Sequence, residues 1–188
     1  MTSYLLAGPA TEPISLAEAK AYLRIDDGAE DALIETLIGA ARLHVEGVTG
    51  RALIAQSWRL VLDCWPDGGV VRLPVGPFRS LSAVTAYDDA GDGHEIILAQ
   101  FADAPDRLIL PQRVAGMPFL RARQGIEIDY VAGYGEAAED VPVDIRQALL
   151  VLVAYWHEHR DAVLVAGSGA VVPAGFDRIV GPYRRLAL

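Results

Sequence analysis

His157, Glu158 and His159 form the densest group of metal-ligating side chains in this 188-residue sequence, and zinc is the ion such imidazoles would suit. On a helix of about 3.6 residues per turn, positions two apart point in nearly opposite directions. The two imidazoles therefore cannot share an ion, and they read as solvated histidines near a helix end. Asp88, Asp89, Asp92 and His94 could supply the acid and base of a small hydrolase. They sit in a turn-rich stretch, however, where aspartates serve the backbone and no apolar setting separates their pKa values. The acidic run Asp26-Asp27-Gly28-Ala29-Glu30-Asp31 lacks the alternating oxygen ligands and distal glutamate of a calcium loop, and helix capping accounts for it. Gly167-Ser168-Gly169 has the spacing of neither a phosphate loop nor a nucleophile elbow, and reads as a hinge. Trp58, Trp65 and Trp156 could stack on sugars or bases, but they occupy strand and helix-face positions that favour burial. His44 borders a packed helix face. The expectation is no catalytic residue, no metal and no cofactor.

These side chains hang on elements that the spacing predicts. Ser15 and Glu18 have capping-box spacing ahead of an apolar run, so a short helix starts there and stops at Asp26-Asp27-Gly28. A second helix runs from Asp31 to Val48. Leu33, Ile34, Leu37, Ile38, Ala41, Val45 and Val48 recur at three-and-four spacing, and Gly50 ends it. After Arg51 the period becomes alternating, with strands expected at 58–63, 70–73, 81–87, 95–98, 107–110 and 126–130. A third helix follows Pro142 and Asp144, packing through Ile145, Leu149, Leu152, Val153 and Trp156, with Arg160 in its last turn. Glycines and prolines from 167 to 182 break up the rest, which still carries apolar groups.

The predicted class is α+β: a small helical bundle of two N-terminal helices and one C-terminal helix, an inserted mostly antiparallel β unit, and an extended C-terminal tail. Its parts are residues 1–51, the insertion at 52–132, the third helix at 133–161 and the tail at 162–188. The sequence is 52% hydrophobic and 22% charged, as globular proteins are. Met1 to Ala10 lacks the basic start and apolar core of a signal peptide, and no apolar run is long enough for a membrane span, so a soluble intracellular product is expected. Cys64 is the single cysteine, which excludes an intrachain disulfide. A net charge of -9 argues against gripping nucleic acid by its phosphates, and only residues 161–188 are net positive, with three Arg against two Asp.

Several of these stretches, taken in order, resemble one family. They are Ile14 to Asp26, Asp31-Ala32-Leu33-Ile34, Thr49-Gly50-Arg51-Ala52-Leu53 with Gln56-Ser57-Trp58, Tyr130 to Gly135, Val141 to Ala148, and Pro182-Tyr183-Arg184. The chain is similar to the head-tail connector, or adaptor, proteins of tailed phages, prophages and gene transfer agents. The resemblance implies a structural protein made in the bacterial cytoplasm and placed at the head-tail junction. It would form a ring of about twelve copies under the portal protein, present a platform to stopper and tail proteins, and let DNA pass without specific binding. The family's portal-docking tail maps onto Val171, Val172, Phe176, Ile179, Tyr183, Arg184 and Leu186. Glu30, Asp31 and Glu35 are expected to line the DNA channel, where like charge keeps DNA from adhering.

Three other readings make distinct predictions. A stopper or tail-completion protein would share the apolar tail and bind a different ring. A hydrolase would gather Asp88, Asp92 and His94 in one pocket. A sugar-binding β module would expose its tryptophans.

Overall fold

The computed structural model describes residues 1–159 and 172–185. They fall into two compact units, one built from residues 1–10 and 55–134, the other from 11–54 and the described residues from Gly135 onward.

The helical unit begins with Ser15, whose Oγ accepts from the Glu18 N–H at 3.2 Å while a Glu18 carboxylate oxygen accepts from the Ser15 N–H at 2.8 Å. This reciprocal pair starts α1 (Leu16–Leu23). The helix stops at Leu23, two residues before the stop expected after Ile25. Arg24 turns left-handed at φ 60°, and its N–H and that of Ile25 satisfy carbonyls of the last turn. α2 (Asp31–Thr49) buries Ile34, Leu37, Ile38, Ala41 and Val45 and ends at Gly50, whose φ of 68° a residue with a Cβ adopts only under strain. α3 (Val143–Glu158) buries the five predicted packing residues together with Ala148. Pro142 precedes its first turn, and Arg160 lies outside the described residues. α2 packs on α3, and α1 packs on both. Each buried Leu or Ile contributes about 1.5–3 kcal/mol, and that burial is what makes a bundle of these helices.

Within the tail expected to be extended, the described residues 172–185 include helical turns. Phe176–Val180 forms a one-turn helix, α4, which packs on α3 and is followed by a 3-10 turn at Gly181–Tyr183. Phe176 is 2% exposed and Val180 is 0% exposed. They stand four apart, so one turn suffices to put both on the same face.

The β unit is antiparallel throughout. Its larger sheet has the order β1 (Thr2–Ala7), β2 (Gln56–Leu62), β8 (Ile126–Ala132), β4 (Phe78–Tyr87), β5 (Gly93–Glu95). A second sheet pairs β3 (Val70–Arg72), β7 (Arg107–Ile109) and β6 (Ala102–Ala104). Leu60, Ile128, Tyr130 and Val84 are fully or almost fully buried on one face of the larger sheet, and Val75 donates its N–H to the buried Tyr130 hydroxyl at 3.3 Å. Two strands were not predicted, β1 and β6, and residues 1–10 belong with the β unit rather than with the helices. Residues 95–98, expected as a strand, supply only the end of β5 before a 3-10 turn at Leu98–Gln100.

Candidate functional site

The residues whose types could do chemistry are engaged in holding a turn. Asp88 accepts from the N–H groups of Ala90 and Asp92 at 3.0 and 2.9 Å and meets His94 Nε2 at 2.8 Å. The hydrogen bond from His94, followed by that from the Asp92 N–H, holds the Asp88 carboxyl below its ordinary value. This is a fastened turn on an exposed surface, and Asp92 contributes its backbone. Trp156 is buried, Trp58 and Trp65 are half-buried, and no exposed aromatic platform of the kind a sugar would stack on is formed by them.

His157 is a correction to the sequence reading. It is not solvated: its side chain is 16% exposed, and Nε2 lies 2.7 Å from a carboxylate oxygen of Glu30. His159 instead stacks on the Tyr155 ring at 4.4 Å. Since Glu30 precedes α2 and His157 sits near the end of α3, the pair ties one helix start to the other helix's finish. Among the described residues no group of three or more His, Cys, Asp or Glu is placed to hold a metal ion.

The three acidic residues expected in a channel have different surroundings. Glu30 is held by His157, and Asp31 by Lys20 Nζ at 2.5 Å. Glu35 is exposed. With Glu12, Glu18 and Glu139 it rims an open cavity of about 680 Å³ floored by Ile14, Leu16 and Ile38. Two of these carboxylates are neutralised, Glu12 by Arg42 at 2.8 Å and Glu18 by Arg146. The Ser15 backbone N–H, the Ser15 hydroxyl and Arg146 together hold the Glu18 carboxyl below its ordinary value.

The C-terminal segment is a surface built on the helical unit. Phe176 fits against the His44 ring, whose centroid lies 5.6 Å from it, and His44 meets Trp156 edge-on at 5.7 Å. Burial pushes the His44 imidazole below its ordinary value, with Asp177 opposing. Arg51 Nε donates to the Tyr183 carbonyl at 2.7 Å, and the Tyr183 hydroxyl donates to the Asp144 carboxylate at 2.7 Å. Arg185 N–H bonds the Thr49 carbonyl at 3.1 Å. Of the expected docking residues, Phe176 is thus consumed by this anchoring, Val172, Ile179 and Tyr183 are half-exposed, and Arg184 is exposed beside Asp177 at 2.5 Å. Val171 and Leu186 lie outside the described residues. The arrangement presents a shaped rim and brings no acid, base or nucleophile together.

A family model for head completion proteins matches residues 12–186. The chain belongs to the head completion protein family. Solved relatives of this head completion protein have the same fold from end to end. A chain from the neck of an empty gene transfer agent particle, computed with C6 symmetry, is 27% identical with a TM-score of 0.78. One from the virion of the native gene transfer agent particle is 28% identical at 0.77, and one from the native neck computed with C12 symmetry is 26% identical at 0.74. Each comparison covers 100% of this chain and 97% of the other. No curated protein matches the chain.

One arrangement in the β unit went unread in the sequence. Arg59 faces Asp129 across β2 and β8 and makes two bonds of 2.6 Å to it, with Glu127 at 2.7 Å on the diagonal. The Tyr87 hydroxyl reaches Glu127 at 3.1 Å, and the Arg121 guanidinium lies 4.3 Å over the Tyr87 ring. The alternation of Arg59, Glu127 and Asp129 with apolar neighbours was the available signal, but the register that joins them is tertiary.

Proposed function

We propose that this protein is a structural, non-enzymatic head-tail adaptor that forms a ring beneath the portal of a phage-like particle, links it to stopper and tail proteins, and lets DNA through. The observation that carries this reading is the match to head completion proteins over residues 12–186 together with end-to-end similarity to chains of particle necks. Cyclic symmetry in those necks supports a ring of identical copies. A net charge of -9 per chain, repeated around such a ring, supports a wall that repels passing DNA. Glu35 is the expected channel residue whose change disturbs no ion pair described above.

The docking surface on this reading is the exposed side of the C-terminal segment: Val172, Ile179, Tyr183 and Arg184. Phe176 acts indirectly, by seating that segment. Deleting the segment would strip a buried aromatic from the helical unit, so surface substitutions are the cleaner probe. Purified chain mixed with its cognate portal should give ring density beneath the portal by electron microscopy. Ile179→Asp combined with Arg184→Glu should lose that density while keeping the wild-type circular dichroism. In particles, Glu35→Lys should slow DNA delivery with rings still present. A folded wild-type chain that ignores the portal, or one that turns over a small substrate alone, would refute the reading.

A further inference from the structure

The open strand edges of the β unit are guarded unequally. β5 carries His94 and Glu95, β6 carries Asp103, and charged side chains on an edge discourage a further strand. β1 has neither a charge nor a proline, yet it is the outermost strand of the five-stranded sheet. Tyr4, Leu5 and Leu6 are 43%, 46% and 45% exposed there. The one irregularity is a bulge between Leu5 and Ala7, which leaves Thr2 to Leu5 in regular register with β2.

A strand bonded on one side only leaves alternate N–H and C=O groups pointing outward. Side chains beside this edge are unfinished too. Ser3 Oγ and Trp58 Nε1 are buried without a partner among the described residues, and Trp58 lies directly across from Leu5. Backbone, apolar surface and polar atoms all fit a further strand.

A second edge of matching character lies on the smaller sheet. β3 is an outer strand with two valines, its single charge being the terminal Arg72. Val70 is 37% exposed and stands opposite Ile109, which is 41% exposed, so the two make one apolar patch at that edge. Cyclic symmetry needs two different patches on each copy, because a patch that pairs with itself closes a dimer and stops.

The geometry points to a sheet shared between copies: β1 of one chain adds to the β3 edge of the next, head to tail, around the ring. This inference rests on the ring reading above and names the contact that closes it. Main-chain hydrogen bonds supply the attraction, and Leu5 and Val70 supply apolar cover.

The test is disulfide trapping in a Cys64→Ser background, which removes the native exposed thiol. Val70→Cys is combined in turn with Ser3→Cys, Tyr4→Cys and Leu5→Cys, so that both faces and neighbouring registers are sampled, and rings assembled on the portal are oxidised. At least one combination should give a ladder of covalently joined chains on a non-reducing gel, while each single cysteine stays monomeric. Leu5→Lys should lower ring yield at least tenfold with the free chain still folded. Rings visible by microscopy with no ladder in any combination overturn the shared sheet and leave the ring reading standing. Dimers from a single β1 cysteine overturn it in favour of self-pairing. Absence of rings from the wild-type chain before oxidation sinks the ring reading, and this contact with it.

Discussion

The helical unit and the β unit spend their charged and apolar side chains in opposite ways. In the helical unit the ion pairs are dispersed, and most join separate segments: Lys20 to Asp31, Arg42 to Glu12, Arg146 to Glu18, His157 to Glu30. Its helices are thereby fastened to one another around an apolar centre that includes Trp156 and Phe176. In the β unit one cross-strand row joins Arg59 to Asp129 and Glu127, a separate pair joins His94 to Asp88, and apolar side chains are left outside. Among the described residues, eight of the eleven large exposed apolar residues belong to it, Phe119 at 92% and Ile97 at 69% among them. Among the described residues the helical unit leaves few large apolar side chains open, and the side it offers a partner is the half-exposed C-terminal segment proposed above to dock on the portal. A unit that leaves so much apolar surface open is shaped for contact with other chains.

The sharpest way to break this contrast is to unseat the tail. Phe176→Ala removes a ring that is 2% exposed and packed on His44, and an aromatic deletion of this kind costs about 3–5 kcal/mol. The urea midpoint should fall accordingly. Amide exchange should accelerate in α4 and the C-terminal half of α3, with β2 and β8 keeping their protection. Equal loss of protection in β2 and β8 would show that the two units unfold as one and that the contrast is only geometric.

How much of this was readable in advance follows from the range of each interaction. Ser15 with Glu18 and Gly50 after α2 are local signals, confined to one turn, and they set the helix bounds to within a residue. The end of α1 went astray because Arg24, a residue that seldom turns left-handed, takes the place that a glycine usually marks. β1 was illegible because Thr2–Ala7 has adjacent leucines and little alternation, so its strand state comes from the ladder with β2. His157 and Glu30 stand 127 residues apart, and nothing in a helical period announces that they meet. In the described part of the tail, the four-residue spacing of Phe176 and Val180 is the signal for one buried turn, and the glycines and prolines around it mask that signal.

A smaller effect sharpens the comparison from the β side. Asp129→Ala removes the two-pronged partner of Arg59 while Glu127 remains at 2.7 Å. The hydrogen bond that Arg59 donates to Asp129 is the foremost cause of the raised Arg59 pKa. Because a second carboxylate can take over part of the guanidinium, the expected loss is about 1–2 kcal/mol, below that of an uncompensated charged hydrogen bond. Denaturation should show the loss, and Asp129→Asn should recover part of it by keeping one acceptor. A loss as large as that of Phe176→Ala would mean that the Arg59 row, and not the apolar face beneath it, holds the strands together.

The smallest effect separates the units by pH. The folded His44 binds its proton less readily than the ordinary value of 6.5, chiefly through burial between Trp156 and Phe176, with Asp177 partly offsetting this. The unfolded chain then carries more protons than the folded one as pH falls below 6.5, so stability declines with falling pH, and the whole penalty is reached only below the folded value. In the β unit Asp88 is held below 3.8 and keeps its charge across that same interval. Between about pH 7.5 and about pH 5.5 the wild-type chain should lose more stability than His44→Gln, which cannot titrate there. Corrected for the slower intrinsic exchange at lower pH, protection in α4 should fall on acidification, while β2 and β8, which carry no histidine, keep theirs. Identical pH profiles for the two chains would show that the imidazole is already free enough to accept its proton, and that Phe176 seats the tail without any help from a neutral His44.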